Sequence, residues 1–216
     1  TLVSGDTIPT LDAGFLKLGK LGDLAWEDKN GNGIQDLGEP GFNNLNVTLT
    51  GTDGLGNNIN TTIQTDGNGM YMFGDLLPGQ YEITFDQPTG YIPTALDDPS
   101  SNGDDTSDSD VDLGTGLQTP SITLTSGDTI PTLDAGFLKL GKIGDFVWQD
   151  YNADGVQDVN EEGLNNVTVT LTGTDGLGNS VNTVIQTAGN GMYMFGDLWP
   201  GQYEVVFTNP LDIVLT

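Results

Sequence analysis

The chain of 216 residues contains no cysteine and no histidine. Disulfides and thiol chemistry are therefore excluded, as are histidine-based catalytic triads and the usual His/Cys zinc sites. Basic residues are scarce: five, all lysine, stand against 31 acidic ones, for a formal charge of −26. That balance repels nucleic acid and an anionic membrane face alike. Apolar runs are short, and none reaches the length of a membrane-spanning helix. No basic-then-apolar leader opens the chain, which begins in mid-pattern at Thr1 and reads as a segment of something longer.

Glycine, by contrast, is abundant, with 32 residues, about twice the usual share. Strand formers such as Thr, Val, Ile and Tyr accompany many Gly/Asn/Asp turns. The balance predicts an all-β protein. Self-similarity sets its organisation. Ser4-Gly-Asp-Thr-Ile-Pro-Thr-Leu-Asp-Ala-Gly-Phe15 recurs at 126–137, Trp26 recurs as Trp148, and Gly51-Thr-Asp-Gly-Leu-Gly-Asn57 recurs at 173–179, every offset being 122 residues. The repeat is a domain-sized unit rather than a solenoid turn. Residues 1–18 then read as the last strand of a preceding unit, 19–140 as one complete unit, and 141–216 as a second unit without its C-terminal third. The junctions at Lys17-Leu-Gly-Lys20 and Lys139-Leu-Gly-Lys142 are short, so neighbouring units should touch.

The most chemically specific stretch occurs twice. In residues 28–39, Asp28, Asn30, Asn32, Asp36 and Glu39 stand at positions 1, 3, 5, 9 and 12 of a twelve-residue loop, with Gly33 at position 6. In residues 150–161 the same places hold Asp150, Asn152, Asp154, Asp158 and Glu161, with Gly155 at the turn. This is the ligand spacing of an EF-hand calcium loop. Calcium takes six to eight oxygens in irregular geometry, and alternate residues of a tight loop point their oxygens to one centre. The backbone carbonyls of Ile34 and Val156 would serve at position 7, and Glu39 and Glu161 would close the shell with both oxygens. The alternative is a polar turn joining two strands; both copies keep the ligand classes while the residues between them change. Position 8 is Gln35 or Gln157 rather than an apolar residue, so helical flanks are not expected.

Alternation places the strands. Leu24 and Trp26 share a face. Val47 and Leu49 form the next strand, with a hairpin over 53–57 and a return from Ile59 to Thr65. Tyr71 and Phe73 share a face, as do Tyr81, Ile83 and Phe85; Ile122 and Leu124 form a strand, and Leu133, Ala135 and Phe137 the last. About seven strands per unit suffice for a two-sheet sandwich. Residues 97–112 carry seven aspartates. They read either as a solvated loop or as a second, less regular calcium site built on Asp104, Asp105, Asp108 and Asp110, since crowded carboxylates repel unless a divalent ion sits among them.

These residues resemble a known family. Leu21-Gly-Asp-Leu-Ala-Trp-Glu-Asp-Lys-Asn-Gly-Asn-Gly-Ile-Gln-Asp36 with Glu39-Pro-Gly41 is similar to the opening of the SdrD B-like domain of serine–aspartate-repeat adhesins, within the wider Cna B-type, prealbumin-like group. Thr65-Asp-Gly-Asn-Gly-Met-Tyr-Met-Phe73, Leu77-Pro-Gly-Gln-Tyr-Glu82, Pro88-Thr-Gly-Tyr91, Asp108-Ser-Asp110 and Leu133-Asp-Ala-Gly-Phe137 resemble its later motifs in the same order. The resemblance implies tandem Ig-like, prealbumin-like Greek-key sandwiches that bind calcium at the loops. It implies a secreted or surface-displayed stalk, and calcium at the aspartate cluster as well. Some related domains form a Lys–Asn isopeptide bond, helped by a buried Glu. Here Lys20 or Lys142 would supply the amine and Asp12 or Asp134 the carbonyl, but residues 84–87 lack the helper glutamate, which argues against the bond.

The leading functional reading is a calcium-rigidified structural repeat, not an enzyme. Its partners would be neighbouring repeats and, through exchange of residues 1–18 into an incomplete unit, identical chains in a fibre. A window on a longer tandem array explains the same ends. The alternative function is a carbohydrate- or ligand-binding module, with Trp199, Tyr71, Tyr193 and Tyr91 as stacking rings, although such rings more often fill the core. A glycosidase-type enzyme is disfavoured because no acid is singled out by an apolar pocket. Asn46-Val-Thr, Asn60-Thr-Thr and Asn166-Val-Thr are glycosylation sequons, relevant only where a host modifies extracellular asparagine.

Overall fold

The computed structural model describes residues 3–7, 12–95, 107–111, 114 and 116–208, and among these every regular element is a strand. The first group runs β1 (Gly19–Glu27), β2 (Asn46–Asp53), β3 (Asn58–Gln64), β4 (Met70–Leu76), β5 (Gly79–Phe85), β6 (Ile92–Pro93), β7 (Ile122–Leu124), β8 (Thr129–Ile130) and β9 (Ala135–Leu138). The second runs β10 (Gly141–Phe146), β11 (Thr168–Asp175), β12 (Ser180–Gln186), β13 (Met192–Leu198) and β14 (Gly201–Phe207). The sequence predicts about seven strands per unit; the first group adds two-residue β6 and β8, too short to leave an alternation pattern.

Alternation decides the core. Val47 and Leu49 point inward from β2, and Tyr81, Ile83 and Phe85 from β5, all buried, with polar residues between them facing out. These strands lie in a four-stranded sheet ordered β3-β2-β5-β7. The opposing sheet is ordered β4-β1-β9-β6, with β8 also on β1. Leu21, Ala25, Tyr71, Phe73, Ala135 and Phe137 close the core from that side. The Tyr71 ring meets Phe85 edge-on at 5.4 Å, across the two sheets.

The first and last long strands are neighbours: β1 pairs β9 in parallel, with Ala25 opposite Ala135 and Glu27 opposite Phe137. Trp26, one residue from Ala25, lies on the opposite side of β1 and is nevertheless fully buried. Gly136 makes that possible, because a Cβ there would stand 2.8 Å from the indole ring. Trp26 thus fills the outer layer over β9 and not the space between the sheets.

The second group repeats the first. β10 pairs β13 from Gly141↔Leu198 to Phe146↔Met192, as β1 pairs β4 from Gly19↔Leu76 to Leu24↔Met70, with the register shift at the equivalent place. β12-β11-β14 repeats β3-β2-β5. Among the described residues β14 pairs only β11, whereas β5 pairs both β2 and β7. Phe207 is accordingly 36% exposed where its counterpart Phe85 is 2% exposed.

Candidate metal centres

Each twelve-residue loop leaves a core strand or its extension and is pinched at its neck. Trp26 bridges Gly41, and the Glu27 amide donates to the Pro40 carbonyl at 2.9 Å. Trp148 bridges Gly163, and the Gln149 amide donates to the Glu162 carbonyl at 2.9 Å. The neck tolerates only glycine: a Cβ on Gly41 would lie 1.8 Å from the Asn68 carbonyl oxygen, and one on Gly163 1.7 Å from that of Asn190.

Inside the pinch the carboxylate at position 1 organises the turn. Asp28 Oδ1 accepts from the Gly31 amide at 2.6 Å and Oδ2 from the Gly33 amide at 2.8 Å. Asp150 takes the amides of Ala153 and Gly155 at 2.6 and 3.0 Å. Position 6 turns left-handed in both loops, with φ of 82° at Gly33 and 74° at Gly155, which is why glycine stands there. At position 12, Glu39 accepts from the Lys29 and Asp36 amides at 2.7 and 3.0 Å. Glu161 accepts from the Tyr151 and Asp158 amides at 2.9 and 3.0 Å. Each glutamate therefore spans its loop from position 2 to position 9.

The side chains at positions 3, 5 and 9 meet at one point. Asp36 Oδ2 accepts from Asn30 Nδ2 at 2.6 Å and from Asn32 Nδ2 at 3.1 Å. In the second loop Asn152 Nδ2 donates to both Asp154 Oδ2 and Asp158 Oδ2 at 3.0 Å. A positively polarised amide hydrogen sits where oxygens converge, and a half-turn of the same amide presents Oδ1 there instead. Ile34 and Val156 occupy the carbonyl position between these side chains. Among the described residues no three acidic side chains form a cage by themselves; these loops offer mixed carboxylate, amide and backbone oxygens, the donor set of a hard cation.

The first loop is also anchored from outside itself. Asp28 is fully buried, and its Oδ2 also accepts from Thr94 Oγ1 at 2.6 Å, while its amide donates to the Phe137 carbonyl at 2.8 Å. Residues 151–160 are all exposed. The aspartate-rich stretch supplies a further anchor. Ile34 bridges Asp108, the Gln35 amide donates to the Ser107 carbonyl at 2.7 Å, and the Ser109 amide to the Gly33 carbonyl at 3.1 Å. The two sites that look separate in sequence are thus adjoining in space. Asp104 and Asp105 lie outside the described residues.

Asp110 belongs with a carboxyl that spacing does not single out as a ligand. The Asp134 amide donates to Asp110 Oδ2 at 2.6 Å, and Asp134 Oδ1 accepts from the Leu24 amide at 2.9 Å. Asp134 is 1% exposed, and among the described residues its Oδ2 has no hydrogen-bond partner. Burial, reinforced by the charges of Asp23 and Asp110, pushes its carboxyl up to about 9. Burial also raises Asp23. The Tyr71 phenol, which donates to the Leu133 carbonyl at 2.5 Å, is pushed well above its usual value by burial and then by Asp134. In the sequence Asp134 stands out only within the Leu133-Asp-Ala-Gly-Phe137 motif and as a candidate isopeptide carbonyl, not as a metal ligand.

The SdrD B-like domain model matches residues 19–137 and 141–216. The chain belongs to the SdrD B-like domain family. It is 41% identical over 222 residues to the serine-aspartate repeat-containing protein E of Staphylococcus aureus strain USA300, spanning 99% of this chain and 17% of that protein. Identity is 40% over 210 residues to the serine-aspartate repeat-containing protein D of strain MW2, covering 96% of this chain and 14% of that one. The chain thus spans under a fifth of the length of these curated relatives. Among solved structures, the TIE protein of Bacillus anthracis is similar at a TM-score of 0.39 and 17% identity, over 90% of this chain and 29% of that one. The minor pilin GBS52 of Streptococcus agalactiae is similar at a TM-score of 0.33 and 11% identity, over 91% and 84%.

Neither the stacking-ring alternative nor the isopeptide bond that the sequence already disfavours gains support from the geometry of this SdrD B-like chain. The rings proposed for sugar stacking are each engaged elsewhere: Tyr71 is buried in the core, Tyr91 packs edge-on against Phe42 at 4.8 Å, Tyr193 packs edge-on against Phe207 at 5.5 Å, and Trp199 rests on the first loop. Of the groups considered for an isopeptide bond, Lys20 is exposed while Asp134 is buried and accepts from the Leu24 amide, and Lys142 and Asp12 are both exposed.

Proposed function

We propose that this pair of SdrD B-like repeats is a stalk segment of a surface-displayed adhesin or extracellular fibre, held rigid by calcium in the loops at 28–39 and 150–161. Its setting is extracellular, at the cell surface. The observation that carries the reading is the convergence of positions 3, 5 and 9 in both loops, with Asp36 Oδ2 and the pair Asp154/Asp158 as focal points. Asp28, Asn30, Asn32, Asp36 and Glu39, with the Ile34 carbonyl, would hold one ion. Asp150, Asn152, Asp154, Asp158 and Glu161, with the Val156 carbonyl, would hold the other. Asp108 and Asp110, beside the first loop, would form the less regular site.

Calcium supplies two positive charges to a chain whose formal charge is −26, relieving repulsion that opposes a compact fold. The residues themselves do the mechanical work. Asp28 and Asp150 hold the turn, Glu39 and Glu161 tie its two ends, and the glycine necks transmit that order to Trp26 and Trp148. The working units are 19–140 and 141–216. The partners are neighbouring repeats. Among the described residues β14 pairs only β11.

Sites in extracellular modules bind calcium with Kd of roughly 10⁻⁴–10⁻³ M. Calorimetric titration of the full chain with calcium is expected to give saturable binding in that range. Absence of binding heat, together with a melt indifferent to EGTA, would remove the reading.

A further inference from the structure

We infer that Trp199 and Gly31 form a latch between successive repeats, through which the order of the first calcium loop sets how the second repeat sits on the first. The indole Nε1 of Trp199 donates to the Gly31 carbonyl at 2.9 Å, across 168 residues of sequence. Gly31 is buried, and a Cβ there would stand 2.5 Å from Trp199 Nε1 and 3.2 Å from Pro200 Cδ. A second contact lies beside it: a Cβ on Gly176 would fall 2.1 Å from the Asn30 carbonyl oxygen. The Gly176 amide donates to the Pro200 carbonyl at 2.7 Å, so the two turns of the second repeat meet the loop as one block.

Both members of the pair break the repeat. Leu77 stands where the second repeat has Trp199, and Ala153 stands where the first has Gly31. Ala153 is exposed with φ 59°, so the loop conformation accepts alanine, but its methyl group would collide with an indole docked in the same way. The matched pair therefore reads as a junction rule: a repeat with glycine at loop position 4 precedes a repeat with tryptophan in this turn. The link to the metal site is one residue long. The Gly31 amide is held by Asp28 and its carbonyl by Trp199, so ordering either end orders the other. This coupling rests on the calcium reading; the latch itself does not.

The test uses the full isotope-labelled chain, first without metal. Hydrogen exchange of the Trp199 indole and the relative tumbling of the two repeats are followed by NMR. Gly31→Ala is expected to speed that exchange by about tenfold, the scale of one lost hydrogen bond, and to release the repeats to tumble independently, with each repeat's own amide spectrum preserved. Trp199→Leu should release them likewise, and Ala153→Gly should leave the junction unchanged. Exchange as fast as a free indole in the wild type, or common tumbling kept in both variants, overturns the latch. Calcium alone is then titrated. Affinity at the first loop is expected to fall several-fold in Trp199→Leu while the second loop is unaffected. Equal affinity in Trp199→Leu overturns the coupling but leaves calcium binding standing. If the wild type binds no calcium, the calcium reading and the coupling both fail, and the metal-free exchange still decides the latch.

Discussion

Ile34 and Asp108 face each other in an antiparallel bridge that fastens the first twelve-residue loop to the aspartate-rich stretch. With Thr94 on Asp28 Oδ2, this preorganises the first loop. Preorganisation lowers the ordering cost of binding. Removing one anchor is therefore expected to weaken calcium at the first loop several-fold, the scale of one hydrogen bond of ~1 kcal/mol. Calorimetry on Thr94→Val checks this, with Asp28→Ala, which should abolish binding at that loop, as the reference. Unchanged affinity in Thr94→Val contradicts the preorganisation.

Metal removal should cost stability in proportion to occupancy. At a hundred times Kd, one site contributes about 2.7 kcal/mol, and a domain of this size shifts its melting temperature by about 4 °C or more per kcal/mol. EGTA is expected to lower the melting temperature of the first repeat by about 10 °C. A scan that superimposes with and without chelator counts against calcium as the rigidifying agent.

The buried Asp134 sets a pH dependence in the metal-free chain. Its carboxyl is raised to about 9 in the fold, against 3.8 as the ordinary value. Between those values the folded state keeps a proton that the unfolded chain has lost. Stability is therefore greatest below about pH 4 for this group and falls as pH rises toward 9, by up to about 1.4 kcal/mol per unit. Asp134→Asn, which carries no titrating proton, should flatten that slope. Denaturant melts in EGTA at pH 5 and pH 8 test it: the variant should gain on the wild type at the higher pH.

The loop necks give a test of the fold itself. Gly41→Ala sets a methyl group against the Asn68 carbonyl at 1.8 Å, backbone against backbone, where no rotamer change helps. A loss of about 3 kcal/mol or more is expected, the range of overpacking that must displace main chain. Gly38→Ala is the comparison for an open position, since nothing lies within 4 Å of its Cβ, although its φ of 100° leaves a backbone cost. Urea melts of the two variants should separate clearly.

Much of the fold was legible because it is written at short range. The alternation of Val47 and Leu49, and of Tyr81, Ile83 and Phe85, marks the core faces the structure confirms. Gln35 and Gln157 at position 8 pointed away from helical flanks, and the described flanks are strand or irregular. Trp26 was less legible. Its face follows from the pleat, but its burial depends on Gly136 in a strand over a hundred residues away. Asp108, Asp134 and Trp199 were harder still. Their partners Ile34, Leu24 and Gly31 are set by sheet order and by how one repeat lies on the next.

By itself, then, the sequence determined the repeat length and the negative charge, which are read directly from it, and the strand faces and the spacing of polar residues in both loops, which reflect geometry between residues a few bonds apart. Only the tertiary structure decided what anchors the first loop, that the Asp134 carboxyl is buried beside Asp110, and that a tryptophan from the next repeat closes over the loop. Those outcomes follow from the parallel pairing of β1 with β9 and from the repeat junction. Such contacts join distant parts of the chain, and no local periodicity records them.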